Sequence, residues 1–230
     1  MRRIYLVLTA AALALTLAAS HAQERPERFD YLVRADMFSG FEGDEAAFER
    51  AMALCEQRLA ANPDDPEPLV WHGVGLMLRA ERAALAGGRD QASAFGRQGV
   101  AEMARAVALA PDTVAVLIPR GAVLLAAAKQ MPEGLRAREF LRTAIDDFER
   151  AVRIQQPYLA RLSTHGKGEL LGALAEGWSR LDDSEKSRIY LRQIITELPD
   201  SKYASAAQAR LDNPADRSAI TCLGCHRRAQ

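Results

Sequence analysis

The chain has 230 residues, about half of them hydrophobic, with 30 basic side chains against 30 acidic ones. That balance excludes the strongly basic surface of a nucleic-acid binder. The length suits one medium domain with a substantial core, or a small repeat array.

The first segment, "MRRIYLVLTAAALALTLAASHAQ", has Arg2 and Arg3 ahead of an apolar run from Ile4 to Ala19. Ser20 and Ala22 then occupy the small-residue positions of a signal-peptidase site, so residues 1–22 read as a cleaved signal peptide. The run is shorter than the ~20 residues that span a bilayer. No cysteine follows the site to take a lipid anchor. The expected mature chain is exported and periplasmic, has no transmembrane segment, and carries 28 basic against 30 acidic groups.

Strong helix formers dominate everything downstream, without the alternating β-branched runs of strands. Proline and Asp/Asn clusters punctuate the chain at "NPDDPEP" (62–68), "APD" (110–112), "QQPY" (155–158) and "LPDS" (198–201), reading as helix stops followed by new N-caps. After a lead-in over 23–43, helices are predicted over 44–61, 67–86, 91–109, 113–129, 133–155, 158–181, 184–198 and 201–212. Pro119 should kink the fourth or mark its start. "THGKG" should interrupt the sixth.

Small and large apolar residues recur along these helices at steps of three and four. Ala51 and Cys55 lead to Pro63, Gly99, Met103 and Ala106 to Pro111, and Ala144, Phe148 and Ala151 to Pro157. Leu171, Leu174, Ala175 and Trp178 line one helix, and Ser187, Leu191 and Ile194 line the next, closed by Pro199. Over residues 44–212 this pattern resembles the tetratricopeptide repeat family, with gaps of roughly 45 residues in place of that family's 34 and "ALAGGRDQASAF" (84–95) as an inserted loop. The resemblance implies an all-α fold of antiparallel helical hairpins stacked as a short solenoid, whose surface docks partner proteins.

The tail, 213–230, carries the sequence's most specific chemistry. "TCLGCH" at 221–226 is the CxxCH signature of c-type haem attachment. Cys222 and Cys225, one helical turn apart, would form thioethers to the two haem vinyl groups, and His226 would face the iron as proximal axial ligand. Its position resembles that of the four-helix cytochromes c-prime. The competing readings are a simple disulfide, a zinc site with His226 and Cys55, and chance. A lone CxxC without a βαβ pattern does not suit a thioredoxin-like site, and zinc lacks a second ligand pair.

A sixth ligand would have to come from upstream. His72, beside Trp71 in "LVWHGVGLMLRA", is the first choice. His165 reads as a loop residue, and Met52, Met77, Met103 and Met131 as core packing. Cys55 reads as a small buried hydrophobe. "GVG" at 73–75 lies in a helix, without the strand a phosphate loop requires, and neither HExxH nor GxSxG occurs. The carboxylate pairs at 146–147 and 182–183 read as solvated faces or caps. Arg120 reads by default as snorkelling to the surface, the other reading being an arginine that lines a groove and binds a carboxylate.

These readings converge on an exported, mono-haem c-type cytochrome-like protein. One covalent haem c would serve electron transfer, or be presented to a redox partner or envelope complex docked on the repeats. The alternative is a haem-free periplasmic scaffold for protein–protein interaction. No catalytic residue is expected.

Overall fold

The computed structural model describes residues 28–214 and Ile220. Among these residues there are nine α-helices and no strand: α1 Phe29–Phe41, α2 Glu45–Ala61, α3 Pro66–Leu85, α4 Arg89–Leu109, α5 Val114–Gln130, α6 Leu135–Gln155, α7 Thr164–Arg180, α8 Ser184–Glu197 and α9 Lys202–Asp212. A 3-10 segment, Gln156–Arg161, joins α6 to α7. Several helices start where a short polar side chain takes up an orphan backbone N–H. Asp44 accepts from Ala47, Ser163 from Gly166, Asp183 from Lys186 and Ser201 from Ala204. Pro66 opens α3, where its missing N–H costs nothing.

The stripes read from the sequence are the buried faces. Ala51, Cys55, Met103, Ala106, Ala144, Phe148, Ala151, Leu171, Leu174, Ala175, Leu191 and Ile194 are all buried. α1 and α2 run antiparallel, with Gly40 against Phe48 and Asp36 paired with Arg50. α3 and α4 do the same, with Gly73 against Met103 and Ala80 against Gly96. α1 and α3 run parallel: the Asp30 N–H donates to Glu67, Phe38 meets Trp71 edge-on, and Arg82 donates to the Gly40 carbonyl. Beyond the consecutive pairs, α1 packs on α3, α3 on α5, α5 on α7 and α7 on α9. One hydrophobic cluster extends from Phe29 to Leu174. A second holds Leu171, Ala175, Leu191, Ile194, Leu198, Ala207 and Ile220.

Four local expectations differ from the structure. The segment 84–95, read as an inserted loop, is helical except for a three-residue turn at 86–88, with residues 84–85 ending α3 and 89–95 opening α4. The segment read as lead-in contains α1, whose Phe29, Val33 and Met37 are buried at steps of four. It escaped notice because it lacks the alanine-rich composition and proline stop of the others. The helix predicted over 158–181 breaks at Leu162–Ser163, and "THGKG" forms the first turns of α7, because Ser163 supplies the cap. α5 begins at Val114 and runs through Pro119, which is therefore not its start.

Candidate functional site

Cys222, Cys225 and His226 lie outside the described residues. Ile220, two positions before Cys222, lies inside them and is 5% exposed in the cluster formed by α7, α8 and α9. An aliphatic side chain buried this fully contributes about 1.5–3 kcal/mol, which fixes one point of the tail to the helical body. The half-buried apolar side chains around the same cluster are Tyr190, Ile195, Tyr203 and Leu211.

The two upstream histidines are held differently. His72, on α3, has Nδ1 2.6 Å from Glu102 Oε2 on α4, and Nε2 3.8 Å from Glu56 Oε1 on α2. It is a half-buried tie across three helices. His165 stands exposed in the first turn of α7, with Nδ1 3.0 Å from the Tyr203 hydroxyl on α9. Tyr203 in turn donates to Glu169 Oε1 at 2.8 Å. The Tyr203 ring lies directly over Gly168, where any Cβ would strike it. The sequence reading missed Ile220, Tyr203 and Glu169. Only the glycine at 168 hinted that something packs closely there.

Met52 and Met103 are fully buried, in keeping with core packing. Met77 and Met131 line a cleft of about 490 Å³ with Phe41, Leu78, Val123 and Phe140. Leu85, at the same cleft, is 84% exposed. Cys55 is fully buried, and burial above all, with Glu56 and Glu102 nearby, pushes its thiol up to about 12. In a protein carrying Cys222→Ala and Cys225→Ala, this remaining thiol is expected to stay silent to an aromatic disulfide reagent at pH 8. It should react fully once denaturant is added; labelling of the native protein would contradict its burial.

One expectation is overturned outright. Asp146 is exposed, but its neighbour Asp147 is 2% exposed and forms two hydrogen bonds with Arg120, at 2.7 and 2.6 Å. Arg120 thus points inward to a carboxylate instead of snorkelling out, because α6 brings a partner to it. The pair at 182–183 does sit at a helix boundary, with Asp183 as the α8 cap.

Among the described residues no three His, Cys, Asp or Glu side chains converge as a metal site. No helix among them is long and apolar enough to cross a membrane. No known family model, curated protein or solved structure matches this chain.

Proposed function

We propose that this chain is an exported, mono-haem c-type protein of the cell envelope. Its helical body is a short tetratricopeptide-like solenoid. α1–α8 would form four stacked hairpins, and α9 would cap the array. The neighbour-to-neighbour packing of alternate helices supports this reading of the body. The motif "CLGCH" supports the haem, and the burial of Ile220, two positions before it, supports a tail mounted on the body.

In this reading each cysteine thiol, of Cys222 and of Cys225, adds across one vinyl group. A carbon–sulfur bond forms, and the thiol hydrogen goes to the other vinyl carbon, so no oxidant is consumed. The His226 imidazole would hold the iron. The haem, when bound, supplies a one-electron iron couple. The residues of the chain set its ligation and shield it from water, and the helical surface docks a protein redox partner. A haem-free scaffold is the second reading, favoured by the apolar cleft between α3, α4, α5 and α6.

The double variant Cys222→Ala plus Cys225→Ala separates the two. The haem reading predicts complete loss of the Soret absorption that survives denaturation in the parent. The far-UV circular dichroism should be preserved, because the nine described helices lie between Phe29 and Asp212. Equal absorption in parent and variant would refute it.

A further inference from the structure

We propose that the cleft between α3, α4, α5 and α6 is the face through which two copies of this chain pair, about a two-fold axis. The inference goes beyond both functional readings and stands under either. The cleft opens because α4 has little contact with α5, so the α3–α4 and α5–α6 hairpins part at the end that carries their turns. It has a volume of about 490 Å³, and Met77, Leu78, Met131 and Phe140 are among its walls. Methionine side chains on such walls adapt their shape to what enters.

Two projections stand beside this hollow. Leu85 ends α3 and is 84% exposed, and Leu135 opens α6 and is 89% exposed. They are the two most exposed large apolar side chains among the described residues. Leu85 lines the cleft, and Leu135 directly precedes Arg136, which also lines it. Single exposed leucines are ordinary, but two beside one apolar cleft form the kind of patch that marks an interaction site. A space of ~150 Å³ holds a benzene ring, so the cleft has room for both leucines of a second copy. A knob beside a hole on one surface fits its own image after a two-fold rotation.

The charges select the same occupant. Arg89 and Asp90 begin α4, and Glu133 and Arg136 flank Leu135. All four are exposed, and none has an ion-pair partner among the described residues. Each turn thus carries one base and one acid. Glu81 in the wall and Arg97, bonded to Ser93 at the cleft, add one charge of each sign. A rim with no net charge gives no preference to a nucleic acid or an anionic lipid surface, whereas a second copy of the same rim offers an acid for each base. Cleft and rim together present about twenty residues, what one partner contributes to a dimer interface of standard size.

The test is sedimentation velocity of the purified full chain over about 1–100 μM, the weak end of affinity for an interface of this size. The parent should sediment as a reversible dimer. Leu85→Glu plus Leu135→Glu, at two exposed positions, should keep the far-UV circular dichroism and raise the dissociation constant about tenfold or more. Charge reversal tests the self-complementarity itself. Arg89→Glu plus Arg136→Glu leaves only acids on the two turns, and Asp90→Lys plus Glu133→Lys leaves only bases. Each variant alone should be monomeric, and an equimolar mixture of the two should form a heterodimer. A parent that is monomeric throughout the range would overturn the proposal, as would a dimer that survives the leucine substitutions. A mixture of the two charge-reversed proteins that stays monomeric would overturn it as well.

Discussion

An Asp147→Ala protein is expected to be about 3–5 kcal/mol less stable than the parent, the usual cost of leaving one member of a buried ion pair alone. Arg120 on α5 and Asp147 on α6 face each other within one hairpin, with side-chain exposures of 15% and 3%. Arg120 presents two parallel N–H groups to the two carboxylate oxygens, the geometry for which a guanidinium is suited and an ammonium is not. Burial pushes the Asp147 carboxyl upward while Arg120 pulls it down. Truncation would leave the largely buried guanidinium without its counter-charge. Thermal unfolding should show a fall in Tm of roughly 10 °C or more. Asp146→Ala, one residue away on the exposed face, should change stability by no more than about 0.5 kcal/mol. Equal effects at the two positions would contradict the buried pairing.

Gly99→Leu is expected to cost about 3 kcal/mol or more, while Gly96→Ala on the same helix should stabilise by up to about 1 kcal/mol. A Cβ at Gly99 would lie 2.7 Å from the carbonyl oxygen of Gly73 and 3.2 Å from Leu76 Cβ. The nearest atom belongs to the backbone of α3, so α3 and α4 would have to move apart along their main contact. At Gly96 an added Cβ would meet only Ala80 Cβ, at 3.8 Å, which is ordinary contact. There the relief of glycine's backbone entropy in a helix interior dominates. Chemical denaturation of the two variants should give midpoints shifted in opposite directions. A Gly99→Leu protein as stable as the parent would contradict the close α3–α4 crossing.

The helical body was readable from spacing because a helix packed on both neighbours repeats its small and large apolar residues every three or four positions. The buried alanines and leucines of α6, α7 and α8 are such positions. α1 was hidden because it buries only one narrow apolar face, Phe29, Val33 and Met37, and leaves Tyr31, Leu32 and Phe38 exposed between them. The ion pair of Arg120 and Asp147 was hidden for another reason. Whether a charged residue on a helix meets solvent or a partner depends on the neighbouring helix, 27 positions along the chain. The motif cysteines and histidine were legible as a local signature. Ile220 and the pairing of His165 with Tyr203 were not, because each joins segments that only the fold brings together.

The most direct measurement is a haem stain of the mature protein, expressed with active c-type maturation machinery, denatured and separated on a gel. The account predicts a peroxidase-active band at the mass of the mature chain, absent when Cys222 and Cys225 are both alanine. A folded, helical protein that gives no such band would contradict it and move the search for function to the cleft between α3, α4, α5 and α6.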